Sequence, residues 1–343
     1  MVGAFSLASN YESVFSVMRA LVCSAITDDL TGVEVSDVAV PEPGPGEVRI
    51  RVKATSVNYP DLLLCQGNYQ LKLEPPFTPG MDISGEIDAL GEGVVGFERG
   101  DSVVGGMRYG GFAEFAVVSA QGLRRKPDNM SFAEAAAYSV AYLTAYVALV
   151  RRANLQEGET LLVHGASGGV GMAAVELGKL LGASVIATGG SDSKLDAVVA
   201  HGADSVINTH SGFKDEVKAL TFGRGADVIF DPVGGDVFDE SVRCINFEGR
   251  LLVVGFTSGR IATLSSNMPL IKGFSVLGVR AGEYGRRFPE RGVENLEQIW
   301  QWAREGKTRP HVHAELPLDQ AVEGFHMLRR REVVGKLIIR PDA

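Results

Sequence analysis

Residues 164–171 read HGASGGVG. A glycine-rich turn between a strand and a helix suits one chemical task, holding an anion. Glycine lets backbone N–H groups approach a phosphate closely, and the helix N-terminus adds free donors and the positive end of a dipole. The stretch falls one glycine short of the dinucleotide pattern G-x-G-x-x-G. Ala166 occupies the first place, and only Gly168 and Gly171 fit. A residue as small as Ala satisfies the tight turn, Gly168 admits the pyrophosphate and Gly171 permits close helix–strand packing. Ser167, Gly169 and Val170 complete the candidate loop. The pattern carries meaning only between a strand and a helix. TLLVHGA supplies the strand, and a helical pattern opens at Gly169. A ligand-free glycine turn is the alternative, and the further strands that follow in register argue against it.

The second strand of such a unit commonly ends in Asp or Glu, which binds the ribose 2′-hydroxyl of NAD. Here it ends ATGGSDSK, so Thr188, Gly189 and Gly190 take the acid's place. Ser191 and Lys194 follow, a hydroxyl and a cation suited to a 2′-phosphate. The expected cofactor is NADPH rather than NADH, with Gly190, Ser191 and Lys194 around the phosphate. Ser191 also reads as a helix N-cap and Lys194 as a solvated helix residue. Asp192 argues the other way, although it lies past the strand end.

These loops need a scaffold, and the chain alternates accordingly. From residue 160 the apolar strands TLLVHGA, SVIATG, SVIN, ADVIFDPV, RLLVVGF and SVLGVR alternate with helical segments. That predicts a doubly wound, six-stranded parallel sheet. Before it, EVRIRVKATSV, DISGEIDAL, GDSVVGG and GFAEFAVVS are short strands between Gly/Pro turns, a small β-barrel-like domain. SFAEAAAYSVAYLTAYVALVRRA reads as helical segments with a break near Ser139. VENLEQIWQWAREG is a further amphipathic helix. The tail from His311 reads strand, helix, strand and returns to the first domain. The expected division is 18–142 with 284–343, and 143–283. Residues 1–17 hold no Lys or Arg and one acid, and read as a disordered extension rather than a targeting peptide.

The chain has 343 residues, 45% hydrophobic and 22% charged, with formal net charge −9. An acidic surface repels a phosphate backbone, so nucleic acid is a poor partner; Arg329, Arg330 and Arg331 read as a solvated helix end. Cys23, Cys65 and Cys244 lie far apart without a C-x-x-C pair. That argues against a disulfide framework or Cys-rich zinc site and fits a reducing, cytoplasmic setting. No uninterrupted apolar run of about 20 residues marks a membrane span.

The order of parts, with GETLLVHGASGGVGMAAVELGK, SVNYPDLLLCQGNY, PFTPGMDISGEI, AYLTAY and VGKLIIR, resembles the quinone oxidoreductase (zeta-crystallin-like) family of medium-chain dehydrogenase/reductases. The resemblance runs from about Met18 to Arg340. It implies a GroES-like catalytic domain, a Rossmann domain and a homodimer paired through the edge of SVLGVR. One departure is Glu176, where the family usually has Gln; it is expected to face away from the phosphates. Zinc alcohol dehydrogenases of the superfamily carry Cys-x-x-Asp and Gly-His-Glu where this chain has Asn58-Tyr59-Pro60-Asp61 and Gly80-Met81-Asp82. Asn is a poor zinc ligand and Met a soft one, so no metal is expected. Hydride transfer to an already electrophilic acceptor, a quinone or α,β-unsaturated carbonyl compound, remains.

By the same resemblance Asn58, Asp61 and Tyr69 line the substrate cleft and Thr144 lies beside the nicotinamide. Tyr59, Tyr69 or water would deliver the proton. The resemblance also assigns Val233, Gly255, Phe256, Ser258 and Lys336 to the cofactor. Thr209 stands where the family often has Tyr or His under the adenosine, which weakens part of the NADPH reading. Each has a structural alternative: turn residues for Asn58 and Asp61, packing for Tyr69, a backbone-bonded hydroxyl for Thr144, a surface strand position for Lys336. Two rival functions stay open. One is an enoyl-thioester reductase, distinguished by a basic patch at the cleft mouth that the sequence does not place. The other is an NADPH-binding structural or RNA-binding protein without turnover.

Overall fold

A computed structural model describes residues 16–342. The expected extension therefore lies outside the described residues except at its end, where Val17 already begins a strand. In chain order β1 (Val17–Cys23) pairs antiparallel with β2 (Val33–Ala39). The alternating stretch that follows forms β3 (Glu47–Val57), with Val48, Ile50 and Val52 buried on one face. Helix α1 (Tyr59–Cys65) leaves its end. Then come β4 (Asp82–Leu90), β5 (Ser102–Gly106), β6 (Phe115–Ser119) and β7 (Leu123–Arg125).

Helix α2 (Phe132–Tyr146) opens on a capping box. Ser131 Oγ accepts the Glu134 amide at 3.1 Å, and the Glu134 carboxylate accepts the Ser131 amide at 2.8 Å. The break expected near Ser139 is absent: the helix runs unbroken, and only its continuation, Val147–Arg152, widens into a π-helix. One Ser among Ala and Tyr costs a helix a few tenths of a kcal/mol, about what neighbouring Ala recovers, and neither Gly nor Pro interrupts it.

The alternating part follows as β8 (Thr160–Val163), α3 (Gly169–Leu180), β9 (Ser184–Gly189), α4 (Asp192–Ala200), β10 (Ser205–Asn208) and α5 (Lys214–Leu220). It continues through β11 (Ala226–Asp231), α6 (Gly235–Cys244), β12 (Ile245–Val253), α7 (Asn267–Lys272) and β13 (Ser275–Gly278). The last elements are α8 (Ala281–Arg287), α9 (Pro289–Arg304), β14 (Val312–Pro317), α10 (Ala321–Arg329) and β15 (Lys336–Arg340).

Two larger sheets result. One is six-stranded and parallel, in the order β10-β9-β8-β11-β12-β13, the doubly wound arrangement. The other is seven-stranded, β14-β15-β3-β4-β5-β7 with β6 also on β3. The tail enters it through β15, antiparallel to β3. Helix α2 serves both. Ala133, Ala136 and Ala137 pack with Ala54 and Ile338 of the mixed sheet. Ala135, Tyr138, Tyr142 and Ala145 face the core that holds Leu161, Val163 and Trp300. Phe132–Arg152 is long and apolar enough by composition to cross a membrane, but 67% of that window is buried in the protein. Residues 142/143 fall inside α2 and 283/284 inside α8.

Candidate functional site

The glycine loop folds as its residues require. β8 ends at Val163, the chain turns through Gly165 at φ +54°, and α3 starts at Gly169 with Gly168 as its N-cap. A Cβ on Gly171 would stand 2.4 Å from the Gly165 carbonyl oxygen and 2.7 Å from Ala166 Cα. The third glycine is thus fixed by the loop's own backbone crossing the helix. Ala166 is fully buried in the core beside that crossing, and its amide donates to the Thr188 carbonyl at 3.0 Å. No side chain caps α3, so the first-turn N–H groups of Val170 and Gly171 have no side-chain partner, while the backbone around Gly168 bridges to Gly335. The residues present therefore fit a pyrophosphate. His164, fully buried just before the turn, bonds Thr188 Oγ1 at 2.7 Å and Ser241 Oγ at 2.8 Å. Burial lowers its pKa to about 3, so it is a neutral tie between β8, β9 and α6.

At the end of β9, Gly190 has open space around it. Ser191 holds the N-cap position of α4 without a capping bond, and its Oγ lies 3.0 Å from Ser193 Oγ. Lys194 Nζ donates to the Arg331 carbonyl. Thr209 closes on Gly189, whose carbonyl accepts its amide at 2.9 Å. Arg331, expected at a solvated helix end, is exposed just after α10. It follows α10 in a left-handed conformation, φ +56°, and its guanidinium lies 3.5 Å from the Thr257 carbonyl. Val233, Gly255, Phe256 and Ser258 gather at the ends of β11 and β12: Asp231 Oδ1 accepts the Val233 amide at 2.8 Å, and the Val233 carbonyl accepts the Ser258 amide at 2.9 Å.

The opposite wall is built on α1. Pro60 sits in its first turn, where no N–H is needed. Asp61 Oδ2 accepts the Asn58 amide at 2.9 Å and Oδ1 the Gly80 amide at 3.1 Å. Asn58 Nδ2 donates to Asp82 Oδ2 at 3.2 Å, which also accepts from Ser56 Oγ at 2.9 Å. Lys336 Nζ donates to Asn58 Oδ1 at 2.6 Å. Lys336 is thus no surface strand residue; it is 6% exposed, and its side chain lies over Gly169, where a Cβ would meet its Cδ at 2.4 Å. The Gly335 amide donates to the Ser167 carbonyl at 2.7 Å, so β15 joins the two walls directly.

Two carboxyls and one ammonium share this dry place. Burial raises the pKa of Asp61 to about 7 and that of Asp82 above the usual carboxylate range, and it lowers that of Lys336. Thr144 donates its hydroxyl to the Val140 carbonyl at 2.7 Å, the backbone-bonded arrangement. Tyr59 and Tyr69 are partly buried against the cluster around Leu62 and Phe77. Glu176 packs between α2 and the segment before β14, accepting from Tyr142 Oη at 2.5 Å and the Arg309 amide at 3.1 Å. Among the described residues no three His, Cys, Asp or Glu side chains are grouped to hold a metal.

Residues 44–128 match the alcohol dehydrogenase GroES-like domain, and residues 169–298 the zinc-binding dehydrogenase family. The chain is 37% identical over 325 residues to a quinone oxidoreductase-like protein 2 homolog of Nematostella vectensis, spanning 94% of this chain and 88% of that one. It is 32% identical over 308 residues to the quinone oxidoreductase of Sus scrofa, spanning 89% and 92%. A mycobacterial protein solved as a complex with NADPH superposes with a TM-score of 0.87 at 26% identity, covering 94% of this chain and all of that one (100%).

Because Asp61 has an ordinary pKa of 3.8 and about 7 in the folded protein, the native state binds more protons than the unfolded chain between those values. Its contribution to stability is complete below about pH 4 and lost as pH rises to about 7. Asp61→Asn removes this titration. Urea unfolding from pH 4 to 8 should show a flatter dependence of stability on pH than in the parent; an unchanged slope refutes the assignment.

Proposed function

We propose, from the premise that this chain belongs to the quinone oxidoreductase family of the medium-chain dehydrogenase/reductase superfamily, that it passes a hydride from NADPH to conjugated carbonyl acceptors without zinc. Quinones and α,β-unsaturated ketones or aldehydes are the acceptor class. That it is an oxidoreductase follows from the family; the cofactor and acceptor are our reading.

One observation carries it: a dinucleotide cradle meets, through Gly335 and Lys336, a cleft floor whose zinc-ligand positions hold an amide and a thioether. Asn58 has its oxygen on the Lys336 ammonium and its nitrogen on Asp82. With both ends of the amide occupied, and a cation 2.6 Å away, this donor set suits no divalent metal. An acceptor polarised by its own conjugation needs no Lewis acid.

The residues divide the work. The first turn of α3 would hold the pyrophosphate, and Ser191, Lys194 and Arg331 the 2′-phosphate. The cofactor, when bound, supplies the hydride. Asn58 and Lys336 fix the floor beneath it, and walls formed by α1 and α2 hold the acceptor in line, so proximity supplies much of the rate. A proton from Tyr59, Tyr69 or water completes the reduction: the hydride brings one hydrogen with its two electrons to the acceptor, and one proton follows. The NADPH complex of the mycobacterial neighbour supports the cofactor reading. Three buried, unpaired cysteines fit a cytoplasmic setting.

Stopped-flow mixing should show NADPH oxidation with quinone and enone panels; no turnover with either overturns the proposal. Lys194→Ala should weaken NADPH binding about tenfold to a hundredfold, the size of one lost charged hydrogen bond, while NADH binding changes little. Equal losses for the two cofactors would place the 2′-phosphate elsewhere. The exposed edge of β13, with Val276 38% exposed, is our expected seam of a homodimer. Sedimentation should give a dimer for the parent and a monomer for Val276→Pro; a monomeric parent ends that reading.

A further inference from the structure

A closed circuit of contacts ties the glycine loop to the segment that lies against it. Helix α3 begins at Gly169, in the loop, and carries Glu176 two turns on. The Arg309 amide donates to both Glu176 carboxyl oxygens at 3.1 Å. Two residues beyond Arg309, the His311 carbonyl accepts the Lys336 amide at 2.9 Å. A Cβ on Gly335 would stand 2.2 Å from that same carbonyl oxygen, so the two chains touch there without a side chain between them. The Gly335 amide then returns to the Ser167 carbonyl at 2.7 Å, in the loop where α3 starts. Backbone groups make every other link of this circuit. Glu176 joins it through a side chain, and that side chain can change its charge.

The groups around Glu176 come from four directions. From α2, Tyr142 Oη donates to Oε2 at 2.5 Å, and the Tyr138 ring stacks on that of Tyr142 at 3.9 Å. Tyr138 Oη lies 2.6 Å from Thr308 Oγ1, so α2 holds Thr308 directly and Arg309 through Glu176. From the segment before β14 comes the Arg309 amide, while the Arg309 guanidinium turns away to Glu134 at 2.5 Å. On α3 itself, the neighbouring Lys179 pairs with Asp204 at 2.7 Å. From the end of α4 comes His201, whose Nε2 lies 4.0 Å from Glu176 Oε2. That nitrogen is buried and, among the described residues, has no hydrogen-bond partner. Burial, with the charge of His311 added, holds His201 below the usual histidine range, so its imidazole is neutral near pH 7. Burial also raises the pKa of Glu176 to about 7, against the pull of Tyr142 and of the Arg309 amide.

A protonated carboxyl and a neutral imidazole are complementary, one with an O–H to donate and the other with a lone pair to accept it. At 4.0 Å they stand about 1 Å beyond hydrogen-bond reach. An ionised carboxyl in the same place turns its charge toward that lone pair, away from water. Resting on the dinucleotide reading, we propose that Glu176 is a positioning residue for the cofactor: with His201 it holds one proton, which fastens residues 308–311 to α3 and so keeps Gly335 and Lys336 against the phosphate loop. When the proton leaves, the buried charge moves toward water, the Arg309 amide follows, and the loop loses its support. In the fastened state the carboxyl keeps its proton to about pH 7; released to water it loses it at its ordinary value of 4.5. Preference for the fastened state is therefore complete below about pH 4.5 and is lost as pH rises to about 7.

Calorimetric titration of NADPH into the full chain at pH 6 and at pH 8 tests this. Between those values the parent should weaken about threefold to tenfold more than Glu176→Gln, the change that a carboxyl titrating near 7 allows. The nucleotide's own phosphate titrates alike with both proteins, so the difference between them reads Glu176. The Gln amide donates to His201 and accepts from Arg309 at either pH. Glu176→Gln should therefore match the parent at pH 6 and bind more tightly than it at pH 8, a gain that damaged packing does not give. Glu176→Ala should bind weakly at both values, and His201→Ala should lose the parent's advantage at pH 6. Melting temperatures confirm that each variant is folded. Parallel profiles for the parent and Glu176→Gln overturn the inference and leave NADPH binding standing. So does a Glu176→Gln protein as weak as Glu176→Ala, or a His201→Ala profile equal to the parent's. No NADPH binding at any pH removes the cofactor reading and this inference with it.

Discussion

A buried ammonium organises the cleft. Lys336 sits in a place with two buried carboxyls, Asp61 and Asp82, and an ammonium there is costly unless those charges and hydrogen-bonding groups surround it. Its direct partner is the Asn58 amide oxygen, which also leaves the amide nitrogen pointing at Asp82. One side chain from the last strand thereby sets the orientation of Asn58 at the head of α1, the register of β15 against β3 and the height of the floor under the glycine loop. Burial pushes the Asp61 and Asp82 carboxyls above the usual carboxylate range; Asp82 adds to the rise at Asp61, and the Lys336 ammonium opposes it at both.

Around that point the two sheets are joined by geometry with little tolerance. β15 approaches the glycine loop closely enough for Gly335 to bond Ser167, while the Lys336 side chain covers Gly169. Any larger residue at Gly169 would strike it. Helix α2 provides the second joint, placing alanines against the mixed sheet and tyrosines against the parallel one. The small face lets the helix come close, and the large face fills the space left by the diverging sheets. The two sheets are therefore joined by α2 and by the approach of β15 to the glycine loop.

Charge is distributed unevenly over this frame. Acidic residues outnumber basic ones, 42 to 33, yet cations gather locally: Lys194 and Arg331 beside the end of β9, and Arg280, Arg286 and Arg287 around α8. Ion pairs on the remaining surface answer most other cations locally.

The sequence by itself determined the parallel sheet, its strand–turn–helix cradle and the missing acid after β9, because these are local. Periodicity marks strands and helices, and a glycine declares a close approach by its own lack of a side chain. The same local rules misjudged Ser139, where helix propensity on both sides outweighed one polar residue. They also read Lys336 equally well as a surface strand residue, though it is buried. Lys336 and Asn58 are 278 residues apart in the chain. Only the tertiary structure decided such contacts, since strand order and the approach of the two sheets determine which distant side chains share a space, and no repeat along the chain records that order.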